Sequence, residues 1–250
     1  MLNIIFLCIA GFIAAFVDSI AGGGGLISVP AFLIAGIPPH IALGTNKFAA
    51  TTSSLTSSIK FAKSKKVNFD IIKYLAPFTL VGAALGVKSV LLIDQTFLYP
   101  LVTILILFVG LYTLFSKNLG AVNKFEDLTK KNLTFGMIFA FIIGFYDGFF
   151  GPGTGSFFIF AFIKVYKFDF VNAAGNAKML NFVSNVTSLV VFALSGKINY
   201  SYGILVAIFM ILGARFGTKA ALTKGSKLIK PIFVCMSLGA AVKLLIQYIG

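Results

Sequence analysis

Two aspartates sit where a carboxylate is expensive. Asp18 and Asp147 lie inside apolar runs, whereas Asp70, Asp94, Glu126, Asp127 and Asp169 fall in polar stretches. Each of the two is followed by a glycine-rich break. Gly22, Gly23, Gly24 and Gly25 follow Asp18, and the run GFFGPGTG, with Gly151, Gly153, Thr154 and Gly155, follows Asp147. A helix starting after such a break, near Leu26 or Ser156, presents unpaired N–H groups and the positive end of its dipole. Glycine also lets a ligand approach the backbone, so the arrangement suits an anion without any charged side chain. The same glycines would serve equally as tight turns and close packing points. The aspartates also read two ways: as proton carriers inside a membrane, or as acceptors that hold the N–H groups of the glycine turn.

A second group of residues could line an anion path. Lys47 and Lys178 open two further segments, beside Thr45 and Asn46 in one case and Asn176 and Asn181 in the other. They stand either at the mouths of the path or as snorkelling lysines at helix ends. Ser53, Ser57, Ser184, Asn185 and Ser188 recur at three- and four-residue spacings, which puts them on one helical face. Arg215 is the sole arginine. Its planar fork suits a sulfonate or carboxylate, and pairing with Asp147 or anchoring a helix end are the other readings.

The rest of the inventory removes chemistry. His40 is the lone histidine and, after Pro38-Pro39, reads as a solvated loop residue. Cys8 and Cys235 sit in apolar runs without CxxC spacing, so neither a disulfide framework nor a zinc site is indicated. No Walker motif or strand–GxGxxG–helix pattern points to a nucleotide. No cofactor, metal or catalytic residue is expected, and the chain does not read as an enzyme.

The elements that must position these residues are membrane helices. The chain is 58% hydrophobic and 11% charged, against roughly 45–50% and 25% in soluble domains. The excess of 21 basic over 7 acidic residues is scattered between apolar runs, which speaks for membrane loops rather than nucleic-acid binding. Ten apolar segments can be marked: 2–17, 26–37, 46–62, 71–93, 97–115, 133–146, 156–165, 172–195, 202–222 and 228–249. Segments 26–37 and 156–165 reach only about 15–18 Å at 1.5 Å per residue, short of the ~30 Å bilayer core. They predict either helical hairpins that return to the side they entered or broken helices that continue across. The N-terminus lacks the basic stretch of a signal peptide, so 1–18 reads as mature structure.

The chain reads as two inverted repeats. An offset of 129 residues carries Asp18 to Asp147 and Gly22 to Gly151. An offset of 131 then carries Gly44 to Gly175, Lys47 to Lys178, Ser53 to Ser184 and Asn68 to Asn199, and continues to Gly82/Gly213 and Gly86/Gly217. Matching loops differ in charge: 60–66 holds Lys60, Lys63, Lys65 and Lys66, while 191–197 keeps only Lys197. Conversely 219–230 holds Lys219, Lys224, Lys227 and Lys230, against Lys88 alone in 88–99. By the positive-inside rule such loops lie on opposite faces. The expected architecture is an all-α integral membrane protein of about ten segments in two inverted five-segment repeats. Residues 1–115 form the first repeat, 116–132 a cytoplasmic linker and 133–250 the second, with both termini outside. Transporters place their sites where such discontinuous helices meet.

The runs FVDSIAGGGGLISVPAFLIAGIPPHIALGTNK and GFYDGFFGPGTGSFF, with NAAGNAKMLNFVSNVTSLVVFALSGKI and GARFG, resemble the signatures of the TauE/SafE (sulfite exporter, TSUP) family across essentially the whole chain. The resemblance implies transport of small anions, chiefly sulfite, sulfonates and sulfur-bearing carboxylates, across the bacterial inner membrane. The expectation is a proton-coupled secondary transporter working by alternating access, with a passive anion channel as the alternative. Its partners would be the anionic substrate, protons and the lipid bilayer, not nucleic acid; a homodimer is left open. The expected substrate-binding set is Gly22–Gly25, Asn46, Lys47, Gly151, Gly153, Thr154, Gly155, Asn176, Lys178, Asn181 and Arg215, with Asp18 and Asp147 as proton-coupling candidates.

Overall fold

The computed structural model describes residues 2–94, 96–97, 100, 104 and 122–224. These residues form eight helices and no strand. They are α1 (Leu2–Ala21), α2 (Gly25–Ile34), α3 (Pro39–Lys63), α4 (Phe69–Leu91), α5 (Lys130–Phe149), α6 (Thr154–Tyr166), α7 (Phe170–Leu194) and α8 (Tyr200–Lys224). Eight of the ten expected segments thus fall on helices. The remaining two, 97–115 and 228–249, lie outside the described residues apart from Phe97, Pro100 and Ile104. Five helices are long and apolar enough to cross a bilayer, and α2 and α6 are the two short ones.

Local chemistry sets the helix ends. Asn68 caps α4 through Ile71 N–H, Thr129 and Asn132 form a reciprocal capping box at α5, and Asp169 accepts from Val171 and Asn172 at α7. Pro39 occupies the first turn of α3, where its missing N–H costs nothing. That start lies seven residues before the expected segment and corrects the reading of His40. Its side chain is buried on α3, with Nε2 3.0 Å from Val90 O at the end of α4. The Pro-Pro pair begins a helix here instead of extending a loop.

The long helices pack through glycine. A Cβ on Gly82 would lie 2.3 Å from Phe141 O and one on Gly86 2.1 Å from Phe145 O. From the other side Gly144 and Gly148 press on the Thr79 and Ala83 backbones. Residue numbers rise together along this seam, so α4 and α5 run in the same direction. α1 and α8 meet likewise, with Gly213 against Phe12 O at 2.2 Å and Gly217 against Phe16 O at 2.3 Å. Such close approach is how membrane helices gain van der Waals contact without a hydrophobic driving force. α3 runs alongside α8, from Thr45 beside Asn199 to Lys60 beside Arg215. It runs opposite to α7, where Lys47 meets Asn185 and Ser58 meets Lys178.

α6 folds back along α5. Tyr146 stacks edge-on against Phe157 and Phe139 against Phe162, while Gly136 faces the Tyr166 hydroxyl. This falling-against-rising order is that of a helical hairpin. Its turn is drawn tight by the Tyr146 hydroxyl, which donates to Pro152 O at 2.7 Å. The first glycine turn also doubles back: Gly24 lies against the Ala14 carbonyl and Asp18 Cβ of α1.

Candidate functional site

The two glycine breaks meet backbone to backbone. Gly22 has φ +78°, and a Cβ there would fall 2.2 Å from the Gly155 carbonyl carbon. A Cβ on Gly155 would fall 2.4 Å from Gly22 Cα, and one on Gly25 2.8 Å from Pro152 Cα. Ser156 at the start of α6 sends its N–H to Gly22 O and its hydroxyl to Ala21 O. These glycines therefore do more than turn the chain. They allow the two breaks to share one plane of contact, which no residue with a side chain permits.

Charges close the site in a crossed pattern. Lys47 of α3 lies 2.8 Å from Asp147 Oδ1 of α5, and both side chains are almost wholly buried. Lys178 of α7 lies 2.5 Å from Asp18 Oδ2 of α1; the lysine is sealed, but the aspartate is 19% exposed. Both pairs join one side of the 116–132 stretch to the other. Taking such ions out of water costs several kcal/mol each, so each charge depends on its partner and on further hydrogen bonds. Asp147 also accepts from the Ser184 hydroxyl, and Lys47 donates to Asn185 Oδ1 at 3.2 Å. Asp18 Oδ1 accepts from Gly24 N–H at 3.2 Å. Asp18 is thus both an acceptor for its glycine turn and half of an ion pair. The turn-holding reading describes Asp18, while Asp147 is bonded to side chains.

Between these pairs lies a small cavity of ≈ 30 Å³. Asp18, Gly22, Gly24 and Gly25 wall one part of it, and Asp147, Gly151 and Gly155 another. Asn46, Lys47 and Asn181 complete the expected residues that line it. Asn46 is 6% exposed, and its Oδ1 has no hydrogen-bond partner. That oxygen is an acceptor, and the amide Nδ2 is the group of Asn46 able to donate to an anion.

The other expected residues stand outside this lining. Gly23 O accepts from Leu26 N–H, Gly153 caps α6 at φ +85°, and the Thr154 hydroxyl donates to Gly151 O: all three build the turns. Asn176 clamps the 64–68 loop, accepting from Asn68 N–H at 2.9 Å and donating to Asn172 O. Lys178 reaches the cavity only through Asp18. Arg215 is exposed on α8, and its carbonyl accepts from Lys60 Nζ at 2.9 Å. Asn185 and Ser53, which spacing alone marks only as part of a polar helical face, line the cavity with Ser28. Ala14, Ala15, Ala50 and Met210 fill in the wall. The small apolar ones carry no signal of their own, since any membrane helix uses alanine. Among the described residues no group of three or more His, Cys, Asp or Glu could hold a metal ion.

Buried charge pairs and glycine turns around a polar cavity, inside a bundle of apolar helices, describe a multi-pass membrane transport protein. Comparison with known proteins makes the class specific. Residues 7–244 match the model of the family Sulfite exporter TauE/SafE, and the chain belongs to that family. It is 42% identical over 227 residues to a "probable membrane transporter protein" of Haemophilus influenzae, covering 91% of this chain and 88% of the relative. It is 39% identical over 235 residues to "probable membrane transporter protein YfcA" of Escherichia coli K12, covering 93% and 86%. A shorter likeness, 33% over 85 residues, covers 34% of this chain and 18% of "Sulfite exporter TauE/SafE family protein 3" of Arabidopsis thaliana. No solved structure matches.

Proposed function

We propose that this protein is a secondary transporter that carries a small anion across the bacterial inner membrane together with a proton. The substrate class is sulfur-containing: sulfite, a sulfonate or a sulfur-bearing carboxylate. The observation that carries this reading is the cavity bounded by Asp18 on one side and the Lys47–Asp147 pair on the other. An anion entering it meets the Lys47 ammonium, the amides of Asn46, Asn181 and Asn185, and backbone at both glycine turns. It competes there with a carboxylate for an ammonium. A carboxylate released from its partner away from water is neutralised by a proton. One negative charge and one proton then move together, and the two aspartates and two lysines keep their balance.

Alternating access is supported by the paired character of the two halves. The crossed ion pairs, the two glycine seams and the loop clamps each occur twice, at matching positions. Even left-handed turns recur at the same offset with different residues: Gly36 (φ +80°) with Lys167 (φ +58°), and Lys65 (φ +55°) with Gly196 (φ +65°). α3 and α7 occupy matching positions and run in opposite directions. This favours reading 1–115 and 133–250 as inverted repeats with the lysine-rich loops in the cytoplasm. A shift of the two halves about this cavity would open it to each side of the membrane in turn.

The test is uptake into proteoliposomes containing the purified protein, with and without an imposed pH gradient. Gradient-driven accumulation of sulfite or a sulfonate above its external concentration is the expected result. Flux that only equilibrates the anion identifies a passive channel instead.

A further inference from the structure

We infer that Lys60, Arg215 and Lys219 form a binding site for the headgroup of an anionic phospholipid, at the outer surface of the bundle between α3 and α8. The three cations are held close together. Lys60 Nζ reaches the Arg215 carbonyl at 2.9 Å, and Lys219 follows Arg215 by one helical turn on the same face. Both α8 cations are close enough to act electrostatically on Lys60.

No counter-charge accompanies them. All seven acidic side chains of the protein lie among the described residues. Asp18 and Asp147 are taken by Lys178 and Lys47, Asp70 by Lys73, Asp94 by Thr96 and Asp169 by the start of α7. Glu126 and Asp127 are exposed in the linker and make no ion pair with the three cations. Three like charges held together by the fold, with no carboxylate to offset them, call for an anion from outside the chain.

The surroundings fix the kind of anion. Arg215 and Lys219 are exposed, and the neighbouring exposed side chains are apolar: Phe216, Leu212 and Ile211 on α8, Leu55 and Ile59 on α3. This is a surface for acyl chains with cations toward one end, where α3 reaches its C-terminus at Lys63 beside the last turns of α8. A guanidinium in company with two ammonium groups offers a phosphodiester both a bidentate contact and point charges. The site also gives the sole arginine a place where its geometry matters, outside the cavity it does not line. Basic pockets between membrane helices recognise anionic headgroups in this way.

The experiment uses the full-length protein in nanodiscs or detergent micelles, titrated with phosphatidylglycerol or phosphatidylcholine, with thermal unfolding as the readout. Wild-type protein should be stabilised by phosphatidylglycerol over phosphatidylcholine. Arg215→Gln should weaken the half-saturating point about fivefold, and Lys60→Gln/Arg215→Gln/Lys219→Gln about a hundredfold. Removing three charges elsewhere, by Lys124→Gln/Lys130→Gln/Lys131→Gln, should leave it near the wild-type value. An equal loss in that second triple variant overturns the site in favour of a diffuse surface potential. Equal stabilisation by inorganic phosphate overturns the lipid. If the first triple variant does not fold, unchanged lipid response in the exposed Arg215→Gln variant suffices to reject the proposal.

Discussion

Lys178 Nζ lies 2.5 Å from Asp18 Oδ2, and the residues that correspond to them in the other half, Lys47 and Asp147, pair with each other across the same divide. Each half supplies one acid and one base, and neither uses its own. The two pairs are alike in pattern but not in setting. Asp147 is sealed with Lys47 and Ser184, whereas Asp18 opens onto the cavity and holds a glycine turn.

Asp147→Asn should destabilise the protein by about 3–5 kcal/mol, because it leaves the Lys47 ammonium buried without a counter-charge. Asp18→Asn should cost stability in the same way, because it leaves the sealed Lys178 ammonium without its counter-charge, and the folded fraction of each variant should lose proton-driven uptake. Unfolding in detergent measures the first and proteoliposome uptake the second. Gradient-driven uptake retained by both variants would rule out the aspartates as proton carriers.

The glycine turns predict a sharp contrast between two substitutions. Gly22→Ala drives a Cβ into the Gly155 backbone at 2.2 Å, in a positive-φ position, and should prevent the two turns from meeting. Gly36 has nearly the same φ, +80°, but nothing within 4 Å of its would-be Cβ. Gly36→Ala should therefore lose only about 1 kcal/mol, the local cost of the left-handed conformation. Folded yield and uptake of the two variants, compared side by side, check this.

Asn46→Ala should weaken substrate binding at little cost to the protein's own stability, because its amide Nδ2 can donate to an anion in the cavity it lines while its Oδ1 makes no bond in the fold. A hydrogen bond to a charged ligand is worth about 1.5–3 kcal/mol, so affinity should fall roughly 10- to 150-fold. Asn176→Ala is the counterpart: its amide clamps a loop, so melting temperature should drop while affinity in the folded fraction stays unchanged. Titration calorimetry or ligand-induced thermal shift with sulfite and short sulfonates reads both.

His40→Ala should lower stability by about 1–2 kcal/mol through loss of the bond to Val90 O and leave substrate affinity untouched. His40→Gln should recover part of the loss by offering an amide to the same carbonyl. Thermal unfolding of the two variants distinguishes them.

A large part of the cavity lining is legible in the amino-acid sequence because the residues concerned are out of place in a membrane. Carboxylates in apolar runs and four consecutive glycines announce themselves, and all but Gly23 of the first turn line the cavity with Asp18 and Asp147. The partners of the aspartates are not legible there. Lys47 and Asp147 are a hundred residues apart in the chain, and only the folded arrangement, in which α7 packs against both α3 and α5, brings them together. Composition misleads at His40 and at the start of α3: Pro38-Pro39 looks like a loop, yet proline is at home in the first helical turn. Arg215 draws attention by rarity alone, and its exposed position on α8 follows from packing that spacing does not encode.

The crossed wiring has a consequence for the chain cut in two. A fragment ending before residue 116 would carry Asp18 and Lys47 on separate helices, each facing an empty place; a fragment beginning at 133 would carry Asp147 and Lys178 in the same condition. Either piece alone lacks the partners that its buried acid and base have in the fold, and the two together are complementary. Co-expressed fragments should therefore find each other, and each should be degraded when made alone. The short polar linker, 116–132, would then be needed to keep the halves in equal supply, while their charges supply the recognition.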